Sequence, residues 1–148
     1  MTTIRFATED DLPHLLALLK QSSLPTEDLV DADVAFLVAD SDGTMAGVIG
    51  LQSFGTDALL RSLAVAADHR GQGLARRLVA ELEAAARRRG IDTVYLLTQT
   101  AERFFLLQGF EALPRHEAPA TLQASAEFRS LCPASAVCMR KRLTRSVA

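Results

Sequence analysis

The stretch Arg70-Gly71-Gln72-Gly73-Leu74-Ala75-Arg76-Arg77 sets two glycines ahead of an amphipathic run, with arginines on both sides. Glycine interrupts a helix, so two of them at its entrance mark a backbone that must be approached where a larger residue would obstruct. A helix start carries unpaired N–H groups and partial positive charge, which together make an anion site. Gly71 and Gly73 would admit an anion to that backbone with no Cβ in the way, and Arg70, Arg76 and Arg77 add charge nearby. A pyrophosphate suits this arrangement. Arg61 is the second residue of interest, because it interrupts the apolar run "ALLRSLAV" at 58–65. A buried arginine needs an anionic partner, either a substrate carboxylate or an Asp or Glu of the chain itself.

The glycine loop needs a strand before it and a helix after it, and the pattern supplies both. Residues 58–65 read as a strand, and 71–90 as a helix with Leu74, Leu78, Val79, Leu82, Ala85 and Ala86 inward and Gly90 closing it. Upstream, "TIRFA" (3–7) predicts a strand, Thr8 a helix cap, and Leu12, Leu15, Leu16 and Leu19 one apolar helix face. A second short helix is expected from Thr26. Strands at 34–40 and 45–54, joined by "SDGT", form a hairpin that the strand at 58–65 extends antiparallel. Downstream, the nearly all-apolar "TVYLLT" (93–98) reads as a buried parallel strand. "TAERFFLLQGF" is a short helix ended by Gly109, followed by a proline-broken stretch (113–120), a helical turn around "TLQASAEFRS" and a last strand at 136–141.

At 148 residues the chain has room for one domain with a real core, so 1–148 is read as a single mixed α/β unit. Its 49% hydrophobic and 23% charged residues are ordinary for a globular protein, and no apolar run reaches membrane-spanning length. The acidic "MTTIRFATEDD" start is unlike a signal peptide. Cys132 and Cys138 are too few for a disulfide framework and wrongly spaced for zinc, so no metal and a cytoplasmic setting are expected. Residues 1–74 hold 4 Lys/Arg against 11 Asp/Glu, and residues 75–148 hold 12 against 7. A basic half suits a small anionic ligand, whereas a pI near 5.9 argues against nucleic acid.

Two well-known phosphate loops fail against this stretch. A Walker loop needs G-x-x-x-x-G-K-[ST], and the chain has no Lys-Ser or Lys-Thr pair. A dinucleotide fingerprint needs a third glycine where Arg76 stands. The pattern R-x-x-G-x-A, read as Arg70, Gly73 and Ala75 after "LRSLAV", resembles the acyl-CoA pyrophosphate loop of the GNAT superfamily of N-acetyltransferases. "FFLLQGF" (104–110) is similar to that family's late helix with its G-F ending, and the element order matches over roughly residues 3–142. The stretches "LLTQTAERFFLLQGFEALPR" and "AEFRSLCPASAVCM" further resemble the amino-acid N-acetyltransferases, of the acetylglutamate-synthase type and of the small arsenic-resistance type.

The resemblance implies a GNAT fold: a mixed sheet of six or seven strands, a V-shaped splay between the fourth and fifth, and helices on both faces. It implies acetyl-CoA as co-substrate and direct transfer of acetyl to the amine of a small amino acid or amino-acid-like compound, such as glutamate or an arsenical or phosphinic amino acid. Leu63, Ala64 and Val65 would line the pantetheine arm, and the Leu63 amide would polarise the thioester carbonyl. Amides and side chains over Arg70, Gly71, Gln72, Gly73, Leu74, Ala75 and Arg76 would hold the pyrophosphate. Much of the family carries a tyrosine where this chain has Phe105, so the usual acid for the leaving thiolate is missing.

For the base, Asp57, His116 and Glu127 are candidates, beside a water chain. Tyr95 is either core or a proton donor. Thr98 and Thr100 either bond substrate or pantetheine or are turn residues. Cys132 and Cys138 are read as small buried hydrophobes. A homodimer is compatible with the family. The alternatives are a peptide or protein N-acetyltransferase, which the acidic first half would suit, and an acyl-CoA-binding module without catalysis.

Overall fold

The computed structural model describes residues 1–29 and 33–143. The expected domain limits at 1–148 therefore end outside the described residues. Seven strands form one sheet: β1 (Thr2–Phe6), β2 (Val34–Ser41), β3 (Thr44–Phe54), β4 (Asp57–Val65), β5 (Thr93–Thr98), β6 (Glu111–Leu113) and β7 (Val137–Arg142). Their order across the sheet is β1-β2-β3-β4-β5-β7-β6. All neighbours are antiparallel except β4 and β5, which run parallel. That pair is bonded only over Asp57–Leu59 against Thr93–Tyr95, although both strands continue beyond it. Past Leu59 and Tyr95 they part, and the V-shaped opening follows.

Apolar periodicity decides which helix covers which face. Helix α2 (Leu74–Arg88) turns Leu74, Leu78, Val79, Leu82 and Ala86 onto Leu37, Ile49, Leu51 and Leu60, and Phe105 and Phe110 close the same cluster. Helix α1 (Leu12–Gln21) covers the opposite face, setting Leu15, Leu18 and Leu19 against Val38, Val48 and Ala64. The segment after β6, with the short α4 (Ala120–Gln123), adds Leu122 and Phe128 over Leu59, Tyr95 and Cys138.

Three helices end by one device. After α3 (Glu102–Leu107), Gly109 takes φ +93°, the Phe110 N–H returns to the Phe105 carbonyl at 3.0 Å, and the two rings meet edge-on at 5.5 Å. This Schellman closure, with its apolar contact, is the physical content of the G-F ending. Gly90 and Ile91 close α2 identically onto Ala86, and Leu24 closes α1 onto Leu19 through Ser23, at φ +57°.

Three expectations change. The glycines lie before α2 rather than in it, since both hold positive φ. Where a short helix was expected from Thr26, residues 27–29 form a turn, and residues 30–32 lie outside the described residues. The three-residue β6 within "FEALP" is an added strand, too short to show periodicity.

Candidate active site

The opening between β4 and β5 is lined with polar backbone. The Ala66 N–H bonds the Ala46 carbonyl at 2.8 Å, and Val65 and Ala64 lie opposite Gly47 and Val48. Polar groups alternate along an antiparallel ladder, so those of Ala64 face β3 and those of Val65 face the opening. This corrects Ala64 as a cofactor contact: its backbone is spent in the sheet and its methyl is buried beneath α1. Register then shifts, Arg61 pairing with Gly50, so Ser62 and Leu63 together oppose Ile49. The bulge holds Ser62, a buried non-glycine residue, at φ +61°. Bulges re-aim strands, and strain of this kind gathers at functional sites.

On one side of the opening is a cavity of about 610 Å³, lined by Leu63, Val65 and the loop residues Arg70, Gly71, Gly73, Leu74, Ala75 and Arg76. Gly71 and Gly73 adopt φ of +77° and +76°, a left-handed region that costs an L-residue about 1–2 kcal/mol. A Cβ at Gly71 would meet nothing within 4 Å, so the glycines are needed for backbone shape and the space above Gly71 is open. Gly73 caps α2, whose first-turn N–H groups give the cavity the electropositive end of a 15-residue helix. The Arg70 Nε donates to the Val65 carbonyl at 3.1 Å, which braces the loop against β4. Arg77 turns away and donates to the Thr2 carbonyl at 3.1 Å, so it does not add charge to the loop. Gln72 is exposed between the glycines and does not line the cavity.

Across the opening is a second cavity of about 420 Å³, whose lining includes Arg61, Leu63, Thr98, Phe105, Glu127 and Cys132. Leu63 and Ala101 line both cavities, so the two meet there. All three side-chain nitrogens of the buried Arg61 face oxygens of the protein. Its Nη1 and Nη2 donate to the two oxygens of Asp28 at 2.6 and 2.7 Å, and Nη1 also reaches Gln52 Oε1 at 3.3 Å. Its Nε lies 3.3 Å from Glu127 Oε1 and 3.4 Å from Ser62 Oγ. Of the two kinds of partner that a buried arginine could take, the structure shows the internal one. Arg61 holds Asp28 below the usual carboxylate range. Glu127, 4% exposed, is pushed up chiefly by burial, with Arg61 opposing.

Of the three candidate bases, Glu127 alone lines this cavity. Asp57 sits at the closed end of β4 opposite Thr93, and His116 is exposed on a turn. Tyr95 is a core residue at that closed end, packed among Leu59, Leu122 and Phe128. Thr98 touches the cavity, but its hydroxyl accepts the Ala101 N–H at 3.0 Å and orders the entry to α3, a turn role. Phe105 is 4% exposed and held by Phe104 and Phe110, so it shapes the cavity wall and offers no proton. Burial pushes the Cys132 and Cys138 thiols up to about 12 and about 11, which leaves them poor nucleophiles.

Asp28 and Gln52 were not visible as site residues in the sequence, lying 33 and 9 positions from Arg61 with no spacing to connect them. Lys141 is a third. Its ammonium bonds both Glu83 oxygens (2.9 and 3.1 Å) and the Gln108 carbonyl (2.7 Å), tying β7 to α2 and to the end of α3. Among the described residues no cluster of His, Cys, Asp and Glu is gathered for a metal, and no helix is long and apolar enough to cross a membrane.

Residues 4–110 match the Acetyltransferase (GNAT) family. The chain is 32% identical over 116 residues to the amino-acid acetyltransferase of Ralstonia nicotianae, covering 72% of this chain and 26% of that protein. It is 33% identical over 112 residues to the uncharacterized protein YwlB of Bacillus subtilis, covering 73% and 76%. Among solved structures, the N-acetylglutamate synthase of Neisseria gonorrhoeae, complexed with coenzyme A and N-acetyl-glutamate, superposes with a TM-score of 0.84 at 23% identity, over 98% of this chain and 36% of that one. Rv2747 of Mycobacterium tuberculosis, in complex with CoA and NLQ, gives 0.80 at 22% identity, over 96% and 99%. The chain thus spans about a quarter of the Ralstonia enzyme and a third of the Neisseria one.

Proposed function

The chain belongs to the Acetyltransferase (GNAT) family, and we propose that it is an acetyl-CoA-dependent N-acetyltransferase, acting as one domain that acetylates the amine of an α-amino acid or a close analogue. The observation that carries the reading is the meeting of two cavities at Leu63: one beside an anion-binding helix start, the other holding the buried Arg61. The likeness to the amino-acid acetyltransferase of Ralstonia supports the acceptor class; within it, glutamate or an arsenical or phosphinic amino acid is the acceptor we propose.

The α2 N-terminus and the loop amides hold the pyrophosphate, with Arg70 and Arg76 beside them. The pantetheine arm runs along β4, where Leu63 and Val65 turn toward the opening, and the thioester carbonyl reaches the Leu63 amide. Arg61 takes the acceptor's carboxylate. Glu127, beside Arg61 and raised by burial, takes the proton as the amine becomes a nucleophile. The new C–N bond forms as the C–S bond breaks. The thiolate leaves to water, because Phe105 cannot protonate it and an ordinary thiol, with a pKa of about 8.5, is a tolerable leaving group near neutrality. A cytoplasmic location fits two unpaired thiols, and a homodimer would cover Leu106 and Leu107, which α3 leaves exposed.

The test is thiol release from acetyl-CoA with a panel of α-amino acids, arsenical and phosphinic amino acids, polyamines and peptides. Release with an α-amino acid is expected, lost in Arg61→Ala and kept in Cys132→Ala. Turnover of peptides or polyamines alone would overturn the acceptor class.

A further inference from the structure

As the anchor for an acceptor's carboxylate Arg61 is already engaged, because all three of its side-chain nitrogens face oxygens of the protein and both terminal ones are held by Asp28. Two carboxylates surround one guanidinium, so the cluster holds one net negative charge. A third carboxylate added to it would be repelled. If one of the two leaves as the acceptor's arrives, the charge of the cluster is unchanged and the guanidinium stays paired.

The two protein carboxylates are not equally placed to leave. Glu127 has 5% of its side chain exposed, lies 3.3 Å from Nε, and stands at the head of the helical turn Glu127–Leu131, which is anchored in the core by Phe128 in one cluster with Leu122. Asp28 has 14% exposed, sits on the turn at 27–29 outside any helix or strand, and is not part of the lining of the acceptor cavity. It takes the outer fork of Arg61, Nη1 and Nη2, in the bidentate geometry that an α-carboxylate would adopt. Leu24 and Pro25, on the segment that leads into the turn, do line the cavity.

We propose that Asp28 is an internal competitor for the acceptor's carboxylate: it holds the outer fork of Arg61 in the free enzyme and yields it when the acceptor binds. This inference rests on the Arg61 reading above and makes Asp28 a specificity-determining residue. The exchange keeps Arg61 paired while the acceptor cavity is empty. It also selects for acceptors whose carboxylate chelates both terminal nitrogens, since a weaker anion would not displace Asp28. The cost is apparent affinity, because only molecules with the fork released can bind.

The test is steady-state acetylation of the twenty α-amino acids and their α-carboxamides by the full chain, as wild type, Asp28→Asn, Asp28→Ala and Arg61→Ala. Thermal melting and acetyl-CoA affinity serve as controls for folding. If the fork is free in one molecule in about 10 to 100, removing Asp28 raises kcat/KM for the α-amino acids by about 10- to 100-fold through KM. The carboxamides stay within about twofold, since they have no charge to contest the site. Loss of activity toward all acceptors in Asp28→Asn and Asp28→Ala, with folding intact, would mean that Asp28 binds the acceptor's ammonium and would overturn the proposal. Unchanged KM in both variants, with α-amino acids still lost in Arg61→Ala, would overturn the competition and leave the anchor standing. Equal turnover of acids and carboxamides that is indifferent to Arg61→Ala would overturn both.

Discussion

On the side of the glycine loop, the protein presents backbone N–H groups at the head of α2 and leaves the space above Gly71 open, with Arg76 exposed beside it. On the other side of Leu63 the charges are side chains paired with one another: Arg61 is held by Asp28 and Glu127, with Gln52 beside them. The two halves have different tasks. One ligand is always the same, so its site can be fixed in main-chain geometry that a substitution barely alters. On the proposed reading the acceptor must be chosen among similar amines, at side chains whose interactions a ligand has to replace. The shared co-substrate would then be met by backbone, and selectivity would lie in the charge cluster.

The largest effect that would break this division is expected at Glu127. Glu127→Gln should lower kcat by about 10²- to 10⁴-fold, the range of a lost general base, while acetyl-CoA affinity stays unchanged. The sign with pH follows from the raised carboxyl. Only the ionised form accepts a proton, so wild-type kcat falls as pH drops through a value above the ordinary Glu range, and the variant loses that limb. A fall in acetyl-CoA affinity by calorimetry would show that the halves are not separate.

A scaffold shared by both halves should behave otherwise. Lys141→Met takes the ammonium from the buried Glu83 and leaves it only Arg87 at 3.7 Å, so the loss should fall below about 3–5 kcal/mol, the figure for a buried charge left with no partner. Chemical denaturation should read that loss, and both acetyl-CoA and acceptor parameters should weaken together, because Lys141 joins α2 to α3. The smallest effect belongs to the loop. Gly73→Ala forces an L-residue to φ +76° at about 1–2 kcal/mol, so acetyl-CoA should bind about 5- to 30-fold more weakly. With acetyl-CoA saturating, the acceptor's KM should not move, which sharpens the contrast with Glu127→Gln.

The same division explains what could be read from the chain. The glycine loop was legible because left-handed backbone demands glycine, so geometry is written into residue identity at Gly71 and Gly73. The G-F ending was legible for the same reason, as a closure at Gly109 with an aromatic contact. The succession of elements along the chain apart from β6, the antiparallel run from β2 to β4, the parallel pair and its opening, and a GNAT fold with helices on both faces followed from periodicity and resemblance. The acceptor half was not legible beyond Arg61 and Glu127. Asp28 lies on a turn, where sequence suggested a helix from Thr26. The bulge at Ser62 uses a non-glycine residue at positive φ, so nothing in "LLRSLAV" announces it. Tertiary pairing, with Asp28 33 residues from Arg61 and Lys141 58 from Glu83, leaves no periodic trace.

The claim at the centre of this account is direct transfer between two substrates that meet at Leu63, with no acyl-enzyme on either raised thiol. Initial rates of thiol release, with acetyl-CoA and an active α-amino acid both varied, test it most directly. The account predicts double-reciprocal lines that intersect, and no thiol released from acetyl-CoA before the amine is added. Parallel lines, with one equivalent of thiol released by the enzyme alone and lost in Cys132→Ala, would contradict it.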